Sequence, residues 1–226
     1  MSKQRLDVVL VERQLVDSRA LAQRLVMEGK VRVAGQVVLK PATLISSEAA
    51  ISLDEGPAFV SRGGEKLLAA LQAFSVSVAG LTCADVGAST GGFTDCLLQK
   101  GARKVYAIDV GQGILHWKLR QDARVIVMER TNARYLQVLP EAVELITADV
   151  SFISLKILFP VMQHWFPASG GQVIALIKPQ FEAGRQIAAR GEGVIRDPAV
   201  HRQVLLSTLQ SAQECDFAPM GLIRSP

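Results

Sequence analysis

Residues 84–94 read ADVGASTGGFT: an apolar run that ends in a carboxylate, a loop of glycines and small residues, and the start of a second apolar run. A glycine loop after a strand can serve three kinds of ligand, and the residues beside it separate them. A Walker phosphate loop needs Lys followed by Ser or Thr after its last glycine, where this chain has Phe93 and Thr94. A dinucleotide fingerprint needs a second glycine where Ala88 stands, so that the backbone can approach a pyrophosphate. Asp85 lies two residues before Gly87, and a carboxylate there suits a cation and opposes a phosphate.

S-adenosylmethionine is cationic at its sulfonium and amino groups and carries no phosphate, so it fits that charge. A second acid, Asp109, ends the next apolar run in AIDVG, 22 residues after Gly87, where it can accept from ribose hydroxyls. D-x-G-x-x-x-G-G with an acid one strand later is the donor-site pattern of a class I methyltransferase. It assigns the cofactor to Asp85, Gly87, Ala88, Ser89, Thr90, Gly91, Gly92, Asp109 and Val110, with Asp149 at the end of a later strand. Asn132, in ERTNAR, has the donor and acceptor to meet an adenine edge. The competing reading is a packing loop with Asp85 exposed, Asp109 capping a helix and Asn132 in a turn.

Strand-like and helical runs alternate on both sides of the loop: LTCADVGA, KVYAIDV, VIVMER, ELITADVSF, a helix over Leu155–Met162, QVIALIKP, a helix in DPAVHRQVLLSTLQSAQ with Asp197 as N-cap, and a last apolar run MGLIRSP. That alternation predicts an α/β, Rossmann-like domain with helices on both faces of a mostly parallel sheet and its ligand at the carboxyl ends of the strands.

At 226 residues, with 49% hydrophobic and 20% charged, the chain can hold one such domain and a small second one. Cys83, Cys96 and Cys215 are too few and scattered for a disulfide framework or a Cys/His metal site, so no metal is expected and the thiols read as small hydrophobes in a reducing compartment. No N-terminal apolar stretch suits a signal peptide, and no uncharged run reaches the roughly 18–20 residues of a membrane span. A cytoplasmic protein is expected.

The first 55 residues form the small α+β domain in this reading, with 56–64 (Gly56, Pro57, Gly63 and Gly64) as linker and 65–226 as the second domain. Two helices, the second capped by Ser18, precede a hairpin about Ala34-Gly35. Residues 1–47 carry eight basic side chains (Lys3, Arg5, Arg13, Arg19, Arg24, Lys30, Arg32, Lys40) against four acidic ones (Asp7, Glu12, Asp17, Glu28), an excess equal to the net charge of +4. Such a face can follow a phosphate backbone, or can be an ordinary solvated surface. The paired helices, the SR before the second, and V-x-V-x-G-x-x-x-x-K-P resemble the small RNA-binding domain named after ribosomal small-subunit protein S-four. The resemblance implies that Arg5, Ser18, Arg19, Arg24, Lys30, Arg32 and Lys40 face RNA.

Methyl transfer to a ribose 2′-hydroxyl needs an in-line nucleophile and a proton acceptor. Lys66 in SRGGEKLLAAL, Asp149 ending ELITAD and Lys178 ending ALIK are the candidates. A lysine acting as base needs burial and a second cation to lower a pKa ordinarily near about 10.4, and a carboxylate can position both ammonium groups. Each also has a plain reading as a solvated or strand-end polar residue.

In order, SRGGEKL, DVGASTGGFTD, IDVGQGILHWKLR, ERTNAR, DVSFISL, KPQFEAGR and GVIRDPAVH resemble the TlyA family, also named hemolysin A, whose second domain is similar to the FtsJ/RrmJ ribose methyltransferases. The resemblance covers nearly the whole chain. It implies S-adenosylmethionine-dependent 2′-O-methylation of cytidine in ribosomal RNA of a ribosomal subunit, through a Lys-Asp-Lys-Glu tetrad whose first three members match Lys66, Asp149 and Lys178. The glutamate would lie in a strand following GLIRSP, and the sequence given stops at Pro226. Glu182 matches a different position. The expectation is a sheet lacking its last strand, with a gap between two strands, weakened activity and lowered stability. A non-catalytic RNA-binding or ribosome-assembly factor is the alternative; a membrane-lytic hemolysin lacks any supporting segment. The loop GRQIAARGEGVIRDP, with Arg185, Arg190 and Arg196, reads either as an RNA-contacting lid or as a solvated loop.

Overall fold

The computed structural model describes residues 3–54, 57–184 and 194–226. The chain divides into two compact units, Met1–Ala58 and Phe59–Pro226.

In the first unit, β1 (Lys3–Arg5) leads into α1 (Leu6–Glu12), and α2 (Arg19–Met27) is followed by β2 (Val31–Val33), β3 (Gln36–Val37), β4 (Leu44–Ser46) and β5 (Ile51–Leu53). Leu6, Val9 and Leu10 recur at helical spacing on α1, and they bury against Ala22 and Val26 of α2 and against Val31 and Ile45. The Ser18 hydroxyl accepts from the Leu21 amide and starts α2 as its N-cap. The expected hairpin is β2–β3, and β2 also pairs with β5; β1 pairs separately with β4, all antiparallel.

The second unit contains α3 (Gly63–Ala73), β6 (Thr82–Val86), α4 (Gly92–Gln99), β7 (Lys104–Ile108), α5 (Trp117–Arg120), β8 (Val125–Met128), a 3-10 turn (Ala133–Tyr135), β9 (Leu145–Ala148), α6 (Leu155–Gln163), β10 (Gln172–Ala175), α7 (Pro179–Glu182) and α8 (Pro198–Gln213). The sheet runs β10-β9-β6-β7-β8 with every pair parallel. Alternate residues serve opposite faces. On β7, Val105 and Ala107 join a core with Leu67, Leu97 and Phe93, while Tyr106 and Ile108 join another with Leu158, Met162 and Trp165. With both faces covered, β6 is buried at every position, Thr82 and Asp85 included. Connections leave β6 toward β7 on one side and return to β9 on the other, which opens a crevice at the carboxyl ends of β6 and β9.

Two expectations change. The run MGLIRSP forms no strand: it lies against Phe74, the ring of which stands 2.7 Å from where a Cβ on Gly221 would be. Among the described residues the sheet therefore ends at β10, with no further strand across a gap. The stretch 56–64 also divides, because Phe59 is buried and Gly63 and Gly64 open α3. A Cβ on Gly64 would sit 2.2 Å from Phe59 Cγ, so these glycines serve close packing. Arg185 and Arg190 lie outside the described residues, and Arg196 is exposed.

Gly64→Ala collides with atoms of Phe59 near its backbone, which cannot swing away. The expected loss of stability in the second unit is about 1–3 kcal/mol, read by thermal unfolding; an unchanged melting temperature would refute the packing role.

Candidate active site

The loop at the end of β6 is shaped by backbone constraints. Gly87 has a φ of 82°, and a Cβ there would lie 2.9 Å from the Asp149 carbonyl oxygen and 3.2 Å from Val150 Cα. Only a glycine passes. The amides of Gly87 and Ala88 both donate to the Ile108 carbonyl, and the Ser89 amide donates to Asp109 Oδ2 at 2.7 Å. The Gly111 amide donates to Asp109 Oδ1 at 2.7 Å, so Asp109 ties the two strand-end loops together while each oxygen keeps a further acceptor direction.

Beside this loop is a cavity of about 720 Å³, in the range of sites that enclose a small molecule. Gly87, Ala88, Ser89, Thr90 and Gly92 line it together with Lys66, Asp149 and Lys178. Asp149 stands at the centre of the charges. Lys66 Nζ donates to its Oδ2 at 3.4 Å, and Lys178 Nζ lies 2.5 Å from its Oδ1 in an ion pair without the alignment of a hydrogen bond. Lys178 also donates to Ser151 Oγ at 3.0 Å and to the Asp149 carbonyl at 3.3 Å. One carboxylate thus bridges two ammonium groups, from α3 and from the end of β10, in a half-buried setting.

Other expected residues stand off the cavity wall. Asp85 does not line the cavity: it is fully buried, accepts from Thr94 Oγ1 at 2.7 Å and Thr147 Oγ1 at 3.2 Å, and so braces β6 against α4 and β9. Burial pushes its carboxyl up to about 6 against the opposing effect of those hydrogen bonds, with Asp149 adding to the rise. Gly91 caps α4, Val110 is exposed, and Asn132 Oδ1 accepts from the Arg134 amide as the cap of the 3-10 turn. Glu182 accepts from Ser154 Oγ and the Leu155 amide and caps α6.

Sequence reasoning missed Ser61, Arg62, Glu65, Phe93 and Ser151 on the cavity wall. The available signal was proximity: three flank Lys66, and Ser151 follows Asp149 by two. It also missed Phe152, which is 91% exposed with a φ of 64°, a left-handed conformation uncommon for an aromatic residue, its ring 5.1 Å from that of Phe181.

In the first unit, Arg5 and Arg19 bond Asp7, Lys30 pairs with Glu28 at 3.0 Å, and Arg32 reaches the Gly35 carbonyl. Arg24 and Lys40 are exposed; the Ser18 hydroxyl caps α2.

Residues 59–226 match the family model for FtsJ-like methyltransferases, and residues 4–51 match that of the S4 domain. The chain is 45% identical over 228 residues to the 16S/23S rRNA (cytidine-2′-O)-methyltransferase TlyA of Mycobacterium tuberculosis, covering 98% of this chain and 84% of the relative. The chain belongs to the TlyA family of FtsJ-like methyltransferases. A second member of the family, Hemolysin A of Brachyspira hyodysenteriae, is 38% identical over 232 residues, covering 98% of this chain and 93% of its own. The solved structure of a protein with a hemolysin name from Streptococcus thermophilus superposes with a TM-score of 0.72 at 43% identity, over 100% of this chain and 83% of that one. Among the described residues, no helix is long and apolar enough to cross a membrane, and no cluster of side chains suits a metal ion.

Asp85 gives the site a pH signature. Its folded pKa is raised, so its contribution to stability is fully present below the ordinary carboxylate value, roughly 4, and is lost as pH rises through about 6. Relative to Asp85→Asn, the wild-type second unit should therefore lose stability, on the order of 2 kcal/mol, between pH 4 and pH 7. Urea unfolding of both proteins across that range checks this, and parallel pH profiles would contradict it.

Proposed function

We propose that the second unit transfers a methyl group from S-adenosylmethionine to the 2′-hydroxyl of a cytidine in ribosomal RNA, bound with the help of the first unit, in the cytoplasm. The observation that carries this reading is the bridge Lys66–Asp149–Lys178 on the wall shared with the glycine loop.

The residues present suit the donor. The loop backbone at Gly87 leaves no room for a side chain, Asp109 has acceptor capacity for ribose hydroxyls, and an acidic side chain, Asp149, lies on the same cavity wall to meet a cationic ligand. When bound, S-adenosylmethionine supplies an electrophilic methyl group on its sulfonium. The chain's own part is to hold the acceptor and take its proton. Lys178, as the neutral amine, receives the 2′-hydroxyl proton at Nζ. Asp149 then holds the ammonium formed, and Ser151 fixes its direction. Lys66 shares the same carboxylate and so sets a second cationic side chain beside Lys178. The exposed Phe152 ring, beside Ser151, offers a face on which an unpaired base can stack.

Transfer of labelled methyl from S-adenosylmethionine to ribosomal RNA tests the reading, with calorimetry of donor binding alongside. Lys178→Ala should lower transfer roughly 10²- to 10⁴-fold while changing donor affinity little. Transfer unaffected by the substitution would remove Lys178 from the chemistry. RNA binding without any transfer by the wild-type chain would support the non-catalytic factor instead.

A further inference from the structure

Asp7 is a heavily bonded carboxylate of the first unit, and nothing in the site chemistry accounts for it. Its side chain is fully buried, and it receives four donors. Arg5 Nε reaches Oδ1 at 2.9 Å; Arg5 Nη2, Arg19 Nε and Gln23 Nε2 reach Oδ2 at 2.9, 3.0 and 2.8 Å. Four donors match the acceptor capacity of a carboxylate. Both arginine side chains stay outside, 42% and 55% exposed. Arg5 engages Asp7 through one edge of its guanidinium, leaving Nη1 and one Nη2 hydrogen to other partners, and Arg19 engages it through Nε, leaving both Nη groups. Arg13 has the opposite arrangement, with its Nη groups on the carbonyls of Ala49 and Ser47.

We infer that Asp7 is a positioning residue, which fixes the Arg5 and Arg19 guanidinium groups as a preformed clamp for backbone phosphates of the RNA. The inference rests on the RNA reading of the first unit proposed above. Arg5 and Arg19 come from the starts of the consecutive helices α1 and α2, and both bond the same carboxylate. The clamp carries two positive charges and one negative, so its net charge is +1. Its value lies in direction: a free arginine loses rotamer freedom when it grips a phosphate, and here that ordering is complete before RNA arrives. The Arg5 hydrogen bond, opposed by burial and helped by Gln23 and Arg19, holds the Asp7 carboxyl well below the usual carboxylate range, so the anchor stays ionised.

Charge and positioning make opposite forecasts. Removing a negative charge beside two cations should by itself tighten RNA binding. If Asp7 positions the arginines, Asp7→Asn weakens binding of purified ribosomal RNA by the full chain, by roughly tenfold in filter binding, although net charge rises. Arg19→Lys keeps the charge, cannot reproduce the Nε contact, and should weaken binding roughly threefold to fivefold in the wild-type background with little effect in Asp7→Asn. Thermal unfolding shows whether Asp7→Asn folds. Should it not fold, Arg19→Lys, at an exposed side chain, decides alone. A folded Asp7→Asn that binds RNA as tightly as wild type, or Arg19→Lys indistinguishable from wild type, overturns the clamp while leaving the RNA reading intact. Failure of the wild-type chain to bind RNA overturns both.

Discussion

Where the chain leaves β6, its backbone runs so close to the end of β9 that the Asp149 carbonyl occupies the space a Gly87 side chain would need. The Asp149 amide in turn donates to the Val86 carbonyl at 3.0 Å. The glycine loop and the acid are consequently parts of one rigid corner at the switch point of the sheet. Lys178 is fixed to that corner through the Asp149 carbonyl and Ser151. Lys66 reaches it because α3 lies against α4, where a Cβ on Gly92 would fall 2.8 Å from the Gly64 amide nitrogen. Chemistry that loses rate with displacements of about 1 Å needs such mutual fixing.

The parallel sheet was legible in the sequence because its central strands are covered on both faces, so β6, β7 and β9 read as mostly apolar runs, interrupted by Thr82, Asp85, Lys104 and Thr147. The strands β1, β4 and β5 of the first unit were not: three residues each are too short for periodicity, and their partners lie far away in sequence. MGLIRSP has the apolar composition of a strand, but a strand also needs a neighbour to pair with, which composition does not reveal. Lys66, Asp149 and Lys178 were readable as polar residues at strand and helix ends, and only the motif order singled them out.

Asp85 shows where a charge argument fails. The sequence reports the sign of a carboxylate but not its direction, and this one turns away from the loop toward threonines nine and 62 residues distant. Thr147 could not be foreseen as its partner without knowing that β9 lies beside β6. The count of basic residues in the first unit had the same weakness: Arg13 is committed to backbone carbonyls, and Arg5 and Arg19 share a carboxylate.

The division of the chain between Ala58 and Phe59 has a consequence for how strongly each part must bind. Two units on one covalent chain convert a second encounter with the same RNA into an intramolecular one, with an effective concentration on the order of millimolar for a short tether. On the RNA reading, the cavity can then grip its nucleotide loosely and release it after methylation, because residence on the RNA is shared with the arginine-bearing unit. On that same reading, affinity and turnover are separated along the chain, and either can change without the other.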